Sequence, residues 1–388
     1  MQLKRVEIIK YRNFENIVID FEKSDFPNAN VFSIASKNGG GKSTLLQFIF
    51  IMLHCIGDKN RHSFFEKIVD EDVFFTYSEL VKFIIEKDKK EYYLNIDFDR
   101  SCNFNFQYDT NMSKDFLEEL SNSIYLTVPE AQVLHFLSEE EDMTELHRLL
   151  PNFSTYNFPT EKDILKSFDN AKEKDFEEMR LNGKYGTHYI ELKDNLKDFI
   201  EGKEIVESKD ATKIAFKINK NHEELLLENL SHGEMRKLGI YIWLKNIVKK
   251  ESIILMDEPD IALHPKWQYE LITDLTTWSK DSQFLLATHS PQILSSTYYK
   301  NIIKLDSEGV KRFNKPPVDR DINTIITQIM EADDFPIELL LLHKKYRKLI
   351  NDGKVETEEA KELKEEILEY ESENSSFFQE INFDLELM

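Results

Sequence analysis

Ser36-Lys37-Asn38-Gly39-Gly40-Gly41-Lys42-Ser43-Thr44 decides how the rest of the chain is read. The stretch follows a short apolar run with strand character, 31–35, and opens a segment with a continuous apolar face, 42–55, that reads as a helix. Strand, glycine-rich turn and helix in that order make a phosphate cradle. The glycines let successive backbone N–H groups converge, and the helix N-terminus adds the positive end of its dipole. In such a loop, formed by Asn38, Gly39, Gly40, Gly41 and Thr44 with their neighbours, Lys42 reaches the β- and γ-phosphates and Ser43 offers its hydroxyl to Mg²⁺. One position departs from the GxxxxGK[ST] pattern: Ser36 stands where the first glycine would be, while the turn glycines are intact.

A phosphate loop needs partners elsewhere in the chain. Ile253-Ile254-Leu255-Met256-Asp257-Glu258-Pro259 is an apolar strand ending in two carboxylates. That arrangement suits Asp257 to the coordination shell of a metal and Glu258 to polarising a water beside a γ-phosphate. Leu230-Ser231-His232-Gly233-Glu234 precedes a helix, and Ala287-Thr288-His289-Ser290-Pro291 ends a second buried strand.

The order of these four motifs resembles ABC-type ATPase heads, in the group that includes RecF, SMC-like heads and the OLD family. The resemblance covers about residues 1–310. It implies ATP and Mg²⁺ as ligands and a site completed only when two heads meet. Ser231 and Gly233 would touch the γ-phosphate held by the partner copy, and His289 would sense the phosphate of its own copy. His232, where many transporters have glycine, reads as a tolerated variant. Asp260-Ile261-Ala262-Leu263-His264-Pro265 resembles the loop that crosses the paired-head interface, with His264 at a helix entry. Tyr11-Arg12-Asn13-Phe14 resembles the turn that SMC-like heads place near the nucleotide, which implies that Arg12 approaches the phosphates and Phe14 packs in the core. The metal-proximal glutamine of the family is Gln132 or Gln107, with a plain surface glutamine as the remaining reading.

Around the motifs the chain divides into an N-terminal ATPase lobe (1–112), a helical insertion (113–205), a C-terminal ATPase lobe (206–315) and a helical tail (316–388). The fold class expected is α/β, an ABC-type P-loop head with an antiparallel β lobe. A hairpin is read from the alternation over 3–9 and 17–21, and further strands near 81–85, 92–98, 103–108 and 212–218. The insertion carries no sustained heptads and so no long coiled-coil arm. The chain has 388 residues and a formal charge of −22, which argues against a surface that coats nucleic acid throughout. Local basic stretches at 209–220 and 344–348 read first as solvated faces. No apolar run approaches membrane length and Met1 opens a charged alternating strand, so a cytoplasmic protein is expected. Cys55 and Cys102 stand far apart with no clustered histidines and indicate neither a disulfide framework nor a zinc site.

Asp319-Arg320-Asp321-Ile322-Asn323-Thr324-Ile325-Ile326 and the acidic helices beyond resemble the ending of the ATPases of bacterial anti-phage systems, the PtuA-like Septu and retron-associated group. That resemblance implies an HNH nuclease as a separate partner, or a reverse transcriptase with its DNA-linked RNA, besides a second copy of the chain in a head-to-head dimer or larger oligomer. Asp319 and Asp321 alone read as turn and helix caps, not metal ligands. Two other classes compete. A RecF-like repair ATPase would bind DNA itself, and a nucleotide-gated scaffold would hydrolyse very slowly and survive Glu258→Gln.

Overall fold

The protein is described by a computed structural model covering residues 1–11, 13–22, 26, 28–57, 79–98, 104–108, 124–127, 161–196, 199–200, 203–207, 214–218, 221–246, 251–306, 309–316, 321–332 and 335–387. Its chain forms two compact units, Met1–Ile325 and Ile326–Met388.

The first unit is built on two principal sheets. One is antiparallel, with strand order β2-β1-β4-β5-β6, from β1 (Gln2–Tyr11), β2 (Phe14–Asp20), β4 (Glu79–Lys87), β5 (Lys90–Phe98) and β6 (Phe104–Tyr108). The opening hairpin turns in two residues, pairing Tyr11 with Phe14, so β2 resumes earlier than the sequence pattern suggests. The other sheet has the order β14-β13-β3-β12-β11-β7. Its members are β3 (Val31–Ser36), β7 (Ile124–Thr127), β11 (Ile253–Asp257), β12 (Gln283–Ala287), β13 (Ile302–Asp306) and β14 (Gly309–Arg312). All its pairings are parallel except β13 with β14.

Helix α1 (Lys42–Gly57) lies between the sheets. Leu45, Leu46, Phe48, Ile49, Phe50, Met52 and Leu53 are all buried, which is why the segment is apolar nearly all round instead of striped. At about 1.5–3 kcal/mol for each large buried side chain, this helix is a main contributor to the core. On it, Ile253 and Leu255 join the cluster with α1, whereas their alternates Ile254 and Met256 face a second cluster. That second layer comprises helices α4 (His232–Asn246), α5 (Pro265–Trp278) and α6 (Pro291–Ser296). A strand buried on both faces reads as continuous apolar sequence, as 253–256 does.

The segment read as a helical insertion holds α2 (Glu161–Asn182) and α3 (His188–Asn195), followed by β8 (Lys203–Glu207) of a three-stranded sheet with β9 (Ile214–Ile218) and β10 (Asn221–Leu226). It also holds β7, which pairs with β11 and is therefore part of the central sheet. Cys102 lies outside the described residues, as does most of the basic stretch 209–220. In the second unit, helices α7 (Ile337–Asn351), α8 (Glu358–Leu368) and α9 (Ser376–Leu387) close over Leu342, Tyr346, Ile350, Ile367, Phe377 and Phe378. Among the described residues no helix is long and apolar enough to cross a membrane.

Candidate nucleotide site

β12 lies between β3 and β11, with Ala287 in register with both Ile34 and Asp257. The glycine loop, the carboxylate pair and His289 thus leave the sheet side by side, at the carboxyl ends of parallel strands where α/β sheets bind ligands.

Lys42 is buried, and its Nζ lies 2.6 Å from His289 Nε2 and 3.3 Å from Ser36 Oγ. Burial lowers the Lys42 pKa, with the nearby Asp257, Glu258 and Asp260 charges opposing the shift. Burial first, and the Lys42 charge second, also lower that of His289. A neutral imidazole accepting from the ammonium fits both shifts. Phe14 packs beneath the loop with its ring against Gly41, the role expected of it.

Ser36 is more than a tolerated departure. Its hydroxyl donates to the Lys37 carbonyl at 2.9 Å and occupies the space beside Gly40, where an added Cβ would lie 2.6 Å from Ser36 Oγ and 2.7 Å from Ser36 Cβ. Gly40→Ala is therefore expected to weaken nucleotide affinity about tenfold or more, at roughly 1–3 kcal/mol for overpacking. Ser36→Gly in the same chain should restore most of the loss. Titration with a fluorescent ATP analogue reads both effects.

Asp257 is fully buried, and among the described residues neither carboxylate oxygen has a hydrogen bond of good geometry. Burial raises its pKa to about 6, with the nearby Ser43 hydroxyl and then the Lys42 charge pulling the other way. A buried carboxylate with two open oxygens beside a Ser hydroxyl is the donor set that a hard divalent cation takes together with substrate phosphates. Ser43 and Asp257 thus fit Mg²⁺. The raised pKa also fixes a sign. Between the ordinary value near 3.8 and about 6 the folded protein holds a proton that the unfolded chain does not, so stability falls as pH rises through this window. Asp257→Asn should accordingly stabilise the metal-free protein by on the order of 2–3 kcal/mol at pH 7 and by little at pH 4. Thermal unfolding in chelator at the two pH values checks it.

Glu258 sits in the left-handed region, φ 49°, rare for a residue with a side chain. Its N–H donates to the Ala287 carbonyl at 2.8 Å, and its carbonyl accepts from Arg236 Nη2 at 3.3 Å. Burial holds the Arg236 guanidinium at about 9, well below its ordinary value. Beyond it, Thr288 donates its hydroxyl to Asp260 Oδ1 at 2.6 Å, and Ser290 donates to Gln268 Oε1 at 2.7 Å. The loops after β11 and β12 are joined by this network. Arg236 and Gln268 stand in none of the quoted motifs, and the bond between Asp260 and Thr288 joins two motifs that the sequence shows only separately. His264 caps α5, its Nδ1 accepting from the Lys266 N–H at 3.2 Å.

Ser231 caps α4 and is exposed. Gly233 stands at a close approach: a Cβ there would lie 2.5 Å from the Ala262 carbonyl oxygen. The N-terminus of α4 is thereby pressed against the loop that follows the carboxylates of its own copy. Arg12, Gln132 and Asp319 lie outside the described residues. Gln107 is on edge strand β6, separated from β1 by β4 and β5, and is not among the groups gathered here. Asp321 caps the turn Ile322–Thr324 through the Thr324 N–H at 3.0 Å, in keeping with a capping role.

Comparison with known proteins sets this geometry in a family. The chain is 28% identical over 193 residues to the "Retron Vc95 probable ATPase" of Vibrio cholerae serotype O1 biovar El Tor, covering 45% of this chain and 37% of that protein. It is 22% identical over 410 residues to the "Septu protein PtuA" of Bacillus mycoides (strain KBAB4), covering 95% of this chain and 51% of that one. The chain spans about half the length, or less, of the curated relatives it matches. Among solved structures it is similar to the SMC head domain from Thermotoga maritima, at 14% identity and a TM-score of 0.45, covering 81% of this chain and 100% of that one. Residues 37–295 match the family model described as "AAA domain, putative AbiEii toxin, Type IV TA system". The match runs from the glycine loop to beyond His289 and takes in most of the chain, which therefore belongs to that family of AAA domains.

Proposed function

We propose that the chain binds and hydrolyses ATP at a site shared between two copies, and that it serves an anti-phage defence system by regulating a separate nuclease effector. The observation that carries the reading is the convergence of Lys42, Ser43, Asp257, Glu258 and His289 at the carboxyl ends of neighbouring strands, while the Ser231 end of α4 is exposed. In this reading the Ser231 that meets a ligand on the glycine loop is that of a second copy, as the order of motifs in ABC-type heads implies, and its exposure leaves it open to that contact.

In this mechanism the loop N–H groups and Lys42 hold the β- and γ-phosphates, so the Lys42 ammonium leaves His289 for the phosphate as nucleotide arrives. Ser43 and Asp257 would hold Mg²⁺, which would supply neutralisation of phosphate charge. Glu258, fixed by Arg236 and Ala287, orients and polarises the attacking water. His289, freed from Lys42, can donate a hydrogen bond at the γ-phosphate edge. Ser231 of the other copy donates to the same phosphate, so cleavage removes the contact that holds the pair together.

The defence role is supported by relatives whose names place them in retron and Septu systems. Its test is to express tagged Glu258→Gln protein with its native neighbouring genes and identify what co-purifies in ATP and Mg²⁺. A stoichiometric HNH nuclease, or a reverse transcriptase with DNA-linked RNA, supports it. Recovery with DNA alone transfers the chain to the RecF-like class, and recovery with no effector contradicts the role.

A further inference from the structure

We infer that Lys203 is a positioning residue for the shared site, acting through Glu234 on the serine that reaches the other copy's nucleotide. The inference rests on the shared-site reading above.

Glu234 Oε2 accepts from both the N–H (2.8 Å) and the hydroxyl (2.9 Å) of Ser231, while the Ser231 Oγ accepts in return from the Glu234 N–H at 3.3 Å. This is a reciprocal capping box at the start of α4. It fixes where the serine points. The other oxygen, Glu234 Oε1, accepts from Lys203 Nζ at 2.6 Å, and both side chains are largely withdrawn from water, at 19% and 12% exposure. A charge-assisted bond at that depth is far less screened than a surface pair. Lys203 opens β8, thirty-one residues before Glu234, and belongs to no motif.

The same segment is tied to α4 by packing. Ile164 and Phe168 of α2, Leu192 of α3, and Ile200 share one cluster with Leu238 and Tyr241 of α4. The segment from α2 to β8 thus meets α4 through an apolar face and, next to the serine itself, through the Lys203–Glu234 pair. Without Lys203, Glu234 is left with a buried, uncompensated oxygen and is drawn toward water, and the box that aims Ser231 loosens. Because Ser231 serves the partner's nucleotide, the defect should appear in the site of the other copy.

Mixing variants isolates that effect. In a Lys203→Met and Glu258→Gln pair, the site built on the Lys203→Met loop receives an intact Ser231 from its partner. Lys203→Met alone should lose roughly ten- to a hundredfold in kcat, as expected for a misplaced contact group. Its affinity for a fluorescent ATP analogue should stay near the native value while its thermal midpoint falls with the loss of a largely buried ion pair, and Lys203→Arg should recover most of the rate. Adding Glu258→Gln protein should raise phosphate release well above the sum of the two variants alone. Ser231→Ala mixed with Glu258→Gln is the control. If the control complements and Lys203→Met does not, Lys203 acts only within its own copy and the inference is overturned while the shared site stands. If the control also fails to complement, the shared-site reading falls and takes the inference with it. A Lys203→Met protein with native kcat overturns the inference outright.

Discussion

Lys42→Ala is expected to lower kcat/KM for ATP by about 10²–10³-fold, the loss typical of removing one preorganised charge from a phosphoryl-transfer site. The ammonium is buried 2.6 Å from a neutral histidine and, among the described residues, has no carboxylate bonded to it, so its place in the resting protein costs stability instead of contributing it. The variant should therefore unfold at the same temperature as the parent or slightly above. Phosphate-release kinetics and a thermal melt together check the pair of outcomes. Native turnover in Lys42→Ala would show that the nucleotide sits elsewhere, and a large drop in stability would assign Lys42 a structural role.

Glu258→Gln should lower turnover by about 10²–10⁴-fold while leaving ATP affinity nearly unchanged, because the carboxylate is needed for the water and not for the phosphates. The amide keeps the size of the side chain and the backbone bonds to Ala287 and Arg236 that fix it. The expected split, kcat falling with binding intact, separates this residue from Asp257, whose loss should weaken metal-dependent binding as well. A scaffold that only holds ATP would show unchanged biological activity in Glu258→Gln. A turnover-dependent ATPase would lose it.

How much of this was legible beforehand follows from how far each contact reaches along the chain. Contiguous signals worked. The loop 36–44, the apolar strand into Asp257 and Glu258, and the all-round apolar 42–55 each carry their meaning within a dozen residues, and the structure sets the first two side by side through β12. The hairpin was read from alternation alone, with its turn drawn too long because Asn16 looks like a turn residue yet lies within β2. Strand β7 falls in the segment that reads as a helical insertion; its sheet membership depends on pairing with β11, more than a hundred residues away. The same limit hid the second layer of the site. Ser36 could be seen as a departure from a pattern, but its contact with Lys42 appears only when the loop closes. Lys203 and Arg236 look like ordinary polar residues until the fold brings Glu234 and Glu258 to them.

The claim on which the rest depends is that ATP is held between two copies of the chain. Sedimentation velocity of Glu258→Gln protein, in Mg²⁺ with ATP and then with ADP, tests it most directly. The account predicts that ATP converts the ADP-state species to one of twice its mass, and that Ser231→Arg in the same chain, placing a long cation at the exposed start of α4, abolishes the conversion. A Glu258→Gln species of unchanged mass in ATP, alongside parent protein that hydrolyses ATP at a rate independent of its own concentration, would contradict it.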